Sequence, residues 1–463
     1  VNEMMCHILP NYSFERGDNK SHRKNLFFEV LAHCALTSSS VYGGGETFEW
    51  SKCSDEAPPS GRTYFDHIQS LSPAQMLEMF DEAIESQFNA ASKLDLYDQA
   101  LPIAIDTTTW ESDAFGKRVT FESISNPEDD EWSKAKRNET YKAIEKWDLQ
   151  PLVGRDSEKI RNADFDDPEL VEIAESIPDV VRYVHGTKSG DDFCYAWEFA
   201  AACIAHPTCP MVFAVKPLER KDELEEHVSE FIERAQELIV VDEVYMDSAY
   251  AQVPVYNRFR YPGKFRTADV FDMDYVMNIR ENDDVKKAVL KEKPGGGDFT
   301  AKMDDNDDDV TILQEYAQYS QDEKAYGHTT LFALPKRGVE TVEDPVTDRV
   351  AFCTNRAGFD SERALELVNG NDADDIEDER GGYSWRWLIE SGFKKVKEFL
   401  AYTKTGDADT RLFYMLYATL LFNTWMLVDR TVKKRKGIEY ADDPELKAKT
   451  FAVIVANYLR PVT

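Results

Sequence analysis

Seventeen consecutive residues, LFYMLYATLLFNTWMLV from Leu412 to Val428, carry no charge. A helix that is apolar around its whole circumference has to be enclosed, by lipid or by the protein's own layers. This run is short for a membrane span, and Thr419, Asn423 and Thr424 interrupt it. The basic cluster KKRK follows at 433–436. The expectation is therefore a helix buried on several sides, with no membrane role. A chain of 463 residues, with 42% hydrophobic and 12% aromatic residues, can build the several layers such a helix needs.

The rest of the chain says what those layers are. NLFFEVLAHCAL, RTYFDHIQSL and SPAQMLEMFDEAIESQF have helical spacing, and Ser72 followed by Pro73 marks a helix start. Residues 1–98 thus form a helical domain, either a DNA-end-binding helix-turn-helix with the basic KSHRKN beside it or a plain packing unit. ALPIAIDTTTW brings a short β-prone run that ends in Asp106. A long acidic stretch follows, with a helix expected around EWSKAKRNETYKAIEKW. FCYAWEFAAACIA, the strand PMVFAVKPLE, the amphipathic KDELEEHVSEFIERAQEL and the strand IVVDEVYMDSAYA then give a βαβ signal. The fold class is α/β, a mixed sheet flanked by helices. Its first part is expected over 99–284, a β-rich insertion over 285–345, and its second part with the C-terminal helices over 346–463.

Charge narrows the setting. Eighty-seven acidic residues against 54 basic ones leave a formal net charge of -33. That balance argues against simple electrostatic attraction to nucleic acid or to an anionic membrane. Two explanations remain: a cytosol of very high salt, where repulsion is screened within a few ångströms, or a basic partner. The acid is spread through NPEDDEW, DFDDPELVE, MDDNDDDV and NGNDADDIEDER, which favours high salt. Seven cysteines form no disulfide framework and no secretory pattern opens the sequence, so a cytoplasmic location is expected.

Three acids stand out by position. Asp106 and Asp247 each close a strand pattern, and Glu390 lies within the helical YSWRWLIESGFKKVK. Acids at strand ends and one from a helix can share a pocket beyond the carboxyl edge of an α/β sheet. Such a cluster suits Mg²⁺, or Mn²⁺, through all-oxygen ligation. Each acid alone reads as a solvated surface group or a cap. The helix sharpens the case: Tyr383, Arg386, Glu390 and Lys397, spaced 3, 4 and 7 apart, fall within a roughly 60° arc, with Lys394 near it. Trp385, Leu388, Ile389, Val396 and Phe399 take the far side. A solvated face explains the lysines equally well. It explains less well an Arg and a Tyr one turn before the Glu, a pairing suited to phosphate. Cys194, Cys203, His206 and Cys209 raise zinc, though without a standard spacing; small core residues are the plainer reading.

The pattern Tyr, two residues, Arg, three residues, Glu, six residues, Lys, met by Tyr383, Arg386, Glu390 and Lys397, resembles the signature of a branch of prokaryotic insertion-sequence transposases. These are DDE enzymes with an RNase H-like catalytic core. AIDTTTW and VYMDSAYA resemble the family's first and second strand motifs, with Ala249 where Gly is commoner. Asp242 is the rival for the second acid, but it interrupts its strand whereas Asp247 ends it. FCTN and LLFNTWMLV look like flanking family features. The resemblance implies that Asp106, Asp247 and Glu390 are catalytic and ligate two Mg²⁺. It implies that Tyr383, Arg386, Lys394 and Lys397 bind DNA. It also implies double-stranded DNA partners (terminal inverted repeats and a target), a dimer in the DNA complex and, with the acidity, a halophilic archaeal source. A nuclease without strand transfer and an inactive DNA-binding derivative remain the alternatives.

Overall fold

Helix starts and strand pairing in the computed structural model follow the local chemistry closely. It describes residues 22–51, 58–111, 183–279, 302–336, 348–369 and 383–458, with short breaks inside these ranges. The helix expected at 131–147 and the side chain of Trp385 lie outside the described residues. The N-terminal part contributes α1 (Lys24–Thr37), α2 (Val41–Ser51), α3 (Gly61–Ile68) and α4 (Pro73–Ser92). Ser72 Oγ accepts the Gln75 N–H at 3.2 Å while Gln75 Oε1 accepts the Ser72 N–H at 2.9 Å, a capping box with Pro73 in the first turn. Met76, Phe80, Ala83, Ile84, Gln87, Phe88 and Ala91 form the buried stripe of α4 at helical spacing.

Among the described residues the sheet has ten strands. Its heart is built from β1 (Leu101–Glu111), β2 (Val184–Ser189), β3 (Asp192–Ile204), β4 (Val212–Pro217), β5 (Val241–Met246) and β6 (Asp274–Asn278), with α5 (Leu224–Leu238) crossing from β4 to β5. β3 runs antiparallel to β1 and to β4, whereas β1, β5 and β6 are parallel neighbours. Three antiparallel strands followed by two parallel ones, in the order β4-β3-β1-β5-β6, give the RNase H-like mixed sheet. β2 shares the outer edge of β3 with β4.

Asp106 does not end its strand, contrary to the sequence expectation. β1 continues to Glu111, which faces Ala196 on β3. Thr107, Thr108, Thr109 and Trp110 favour an extended chain, and the long β3 supplies a partner after pairing with β5 has stopped. The segment expected to be β-rich supplies β7 (Lys302–Asn306), β8 (Thr311–Ser320) and β9 (Ala325–Pro335). They join the sheet through β10 (Arg349–Thr354), which pairs with both β9 and β6.

After α6 (Val253–Tyr256) and α7 (Ser361–Asn369), α8 (Trp387–Val396) packs against β1. α9 (Ala408–Lys436) and α10 (Ala448–Tyr458) complete the described chain. Asp407 caps α9 by accepting the Thr410 N–H at 2.7 Å, and Gly437 ends it at φ +68°, a conformation that suits glycine. Among the described residues α9 is the one helix long and apolar enough to cross a membrane, and its apolar stretch is wholly buried within the protein. Asn423 shows how it is held. Its amide donates to Gln87 Oε1 (2.9 Å) and to the Val212 carbonyl (2.7 Å), and accepts the Val212 N–H (3.0 Å). Helix α4, the core helix and edge strand β4 are thereby tied together. The N-terminal helices share one hydrophobic core with the sheet.

Candidate active site

The parallel register between β1 and β5 decides where the two aspartates lie. Ile103 faces Val244, Ala104 faces Tyr245 and Ile105 faces Met246. One further step brings Asp106 beside Asp247, whose backbone is still extended (φ -75°, ψ 166°). Neighbouring strands are about 4.8 Å apart, so the two carboxylates emerge side by side. Alternation puts Glu243, Tyr245 and Asp247 on one face of β5. Asp242 stands near the start of that strand, exposed and five residues from Asp247.

Helix α8 supplies the third acid. It is seated by Ile389, Phe393 and Val396, all buried, and Tyr383 anchors the chain four residues before it. The Tyr383 hydroxyl donates to the Met246 carbonyl (3.1 Å) at the end of β5 and accepts the Asn278 N–H (3.3 Å) at the end of β6. Its ring meets Tyr245 and Phe352 edge-on. Arg386 then lies over the Tyr383 ring, its guanidinium carbon 5.5 Å from the centroid.

The guanidinium is where the acids meet. Arg386 Nη1 donates to Asp106 Oδ2 at 2.8 Å and lies 3.8 Å from Asp247 Oδ1; Nη2 lies 2.7 Å from Glu390 Oε1. Three carboxylates distant in sequence thus surround one cation. Asp106 is 5% exposed, and its other oxygen accepts the Thr107 N–H at 2.7 Å. Burial, with Asp247 and Glu390 adding to it, pushes the Asp106 carboxyl up to about 7 against the pull of Arg386 and the Thr107 N–H. Asp247 and Glu390 keep roughly a third of their side-chain surface in solvent, so the cluster opens outward on their side.

The stripe along the helix divides accordingly. Tyr383 and Arg386 are buried, Glu390 is half-buried, and Lys394 and Lys397 are exposed beyond it. Tyr383 spends its hydroxyl on two backbone groups, and Arg386 spends its guanidinium on the acids. Two further residues belong to the neighbourhood and were not singled out by spacing. Tyr250 is fully buried close to Asp106, Glu198 and Asp247, and its hydroxyl makes no hydrogen bond among the described residues. Glu198 was visible as the lone acid in the apolar run of β3.

Three carboxylates are the hard oxygen donors that Mg²⁺ or Mn²⁺ takes, so the donor set fits such an ion. Their spacing is set around the guanidinium, and among the described residues no three His, Cys, Asp or Glu side chains are gathered on a single ion position. Among the described residues zinc at the cysteines is not supported, and the side chain of Cys194 lies outside them. Cys203 and Cys209 are buried free thiols, and His206 Nδ1 accepts the N–H groups of Thr208 and Cys209, both at 3.2 Å. Burial lowers His206 to about 4.

No family model and no curated protein matches the chain. Among solved structures it is similar to a piggyBac transposase synaptic complex with hairpin DNA, determined by cryo-EM. The two are 10% identical over 98% of this chain and 77% of that one, at a TM-score of 0.44.

Proposed function

We propose that this chain is a DDE transposase that cuts DNA at the ends of an insertion sequence and joins the freed 3′-hydroxyl to target DNA. The observation that carries this reading is the convergence of Asp106, Asp247 and Glu390 where the parallel pairing of β1 and β5 ends in an RNase H-like sheet. The Tyr-Arg-Glu-Lys spacing supports it from the sequence.

In this reading Asp106 and Asp247 from adjacent strands, with Glu390 from α8, hold two Mg²⁺. The chemistry such ions supply is polarisation of a phosphodiester and activation of the oxygen that attacks it. Tyr383 fixes the start of α8 to the ends of β5 and β6, which sets the reach of Glu390. Arg386, Lys394 and Lys397 bind phosphates on the scissile strand and its flank. In hydrolysis, water replaces the 3′-oxygen on phosphorus and leaves a 3′-hydroxyl on the element. In joining, that hydroxyl forms a new P–O bond with target DNA while an equivalent bond there breaks. Each step exchanges one P–O bond for another and needs no redox partner. The DNA-bound form is a dimer holding two ends, in a halophilic archaeal cytoplasm.

The test is cleavage of a plasmid carrying the DNA that flanks the coding sequence, in molar KCl with Mg²⁺. Wild type is expected to cut and to give joined products, and Glu390→Gln to lose at least about a hundredfold in rate, a typical cost of removing one transition-state stabilising group. Equal cleavage by both proteins removes Glu390 from the mechanism. Cleavage without joined products replaces the transposase with a nuclease on the same fold.

A further inference from the structure

The carboxylates of the site are already neutralised in part, by a side chain of the same chain. Asp106 Oδ1 holds the Thr107 N–H, which leaves Oδ2 as its outward donor, and Arg386 Nη1 is 2.8 Å from that atom. Glu390 Oε1 is engaged by Nη2 at 2.7 Å. A Mg²⁺ or Mn²⁺ ion bonded to those oxygens would sit about 2.1 Å from them. Its double charge would then lie within a few ångströms of the guanidinium, and like charges so close repel strongly in a partly buried site. Tyr383 is anchored to the ends of β5 and β6, and α8, which follows Arg386, is held by its buried residues. The arginine side chain has rotatable bonds enough to swing while its Cα stays in place.

We propose that Arg386 is an internal counter-ion for the three acids, one that a divalent metal must displace, and that its displacement delivers the guanidinium to a DNA phosphate. This rests on the reading that Asp106, Asp247 and Glu390 hold metal. The metal-free site is kept folded by an arginine that neutralises the acids. Metal takes over the oxygens and releases a planar donor suited to bidentate phosphate binding. Metal and DNA then promote each other's binding, because each removes a competitor of the other, and that coupling is reciprocal.

The test is Mn²⁺ binding to the full-length protein by calorimetry, at fixed KCl, for wild type, Arg386→Gln and Arg386→Lys, each alone and with a short DNA duplex. Without DNA, Arg386→Gln is expected to bind Mn²⁺ at least about tenfold more tightly than wild type, within the usual range of coupling between sites. Arg386→Lys, which cannot fork across two carboxylates, is expected to fall between them. The duplex is expected to tighten Mn²⁺ binding to wild type and to leave Arg386→Gln nearly unchanged. Metal-free Arg386→Gln should melt below wild type and gain more from Mn²⁺. Should Arg386→Gln fail to fold, the lysine variant carries the comparison. Equal affinity in wild type and both variants overturns the displacement while leaving the metal reading intact. Mn²⁺ binding by none of the three overturns both.

Discussion

Asp106 is an acid placed where its charge is hardest to keep. Burial raises its carboxyl, and one guanidinium and one backbone N–H hold it against that. Tyr383, which the resemblance assigns to DNA, also has a place inside the fold. With its hydroxyl on Met246 and Asn278, Tyr383→Phe is expected to cost about 1–2 kcal/mol of stability, read by denaturant titration. A residue used only to touch DNA would leave the unfolding curve unmoved. Glu243, near the opposite end of β5, gives a pH test. It is paired with Arg356 at 2.9 Å, and burial raises it from 4.5 to about 7 against that pairing. Its carboxyl thus keeps its proton longer folded than unfolded. The resulting stabilisation is full below about 4.5 and is lost as pH rises through about 7. Glu243→Gln should therefore show a smaller fall in melting temperature between pH 5 and 8 than wild type, followed by scanning calorimetry.

At the scale of elements, α9 organises the molecule. Arg411, wholly buried near its start, lies over the rings of Trp110 of β1 and Trp197 of β3, its guanidinium carbon 4.7 Å from each centroid. Further along, Asn423 serves two elements at once. Asn423→Ala would strand the Val212 N–H and carbonyl and remove a partner of Gln87. A loss of about 3 kcal/mol or more is expected from unsatisfied buried groups, measured by chemical denaturation. The unfolding should stay a single transition for the N-terminal helices and the sheet, because they share this network and one core. Asn355, within the FCTN run and just past β10, plays a related part: it accepts the Tyr275 N–H and donates to the carbonyls of Arg260 and Met273. Both asparagines were noticed in the sequence as flanking features, and both turn out to stitch the core.

For the whole molecule, the net charge of -33 sets the conditions under which the fold is stable. The Debye length falls from about 10 Å at 0.1 M salt to about 3 Å at 1 M. The melting temperature is expected to climb as KCl rises from about 0.1 M to 1 M, the range over which repulsion among surface carboxylates is screened. Thermal melts across that range check it; a flat or falling profile would remove the high-salt explanation of the acidity. DNA binding faces the same field. Exposed Lys394 and Lys397 lie beside the acid cluster, so any attraction to phosphate there is local and short in reach.

Elements of strong period were legible without coordinates. The Ser72 cap, the strands in PMVFAVKPLE and IVVDEVYMDSAYA, the buried run 412–428 and the helix after Tyr383 each follow from local propensity and patterning, which act within a few turns of chain. The sequence also singled out the three acids and the stripe, since spacing along a helix or at a strand end is one-dimensional information. What it could not contain is which groups meet. The continuation of β1 past Asp106 needed β3 as a partner, and the pairing of Asp106 with Asp247 depended on a parallel register between segments some 140 residues apart. The fate of Arg386 was decided the same way. On an isolated helix it faces outward to any anion, but in the folded chain two buried strands and its own Glu390 bring three carboxylates within 4 Å of it. Electrostatic partners are chosen by distance in space, and only tertiary packing sets that distance.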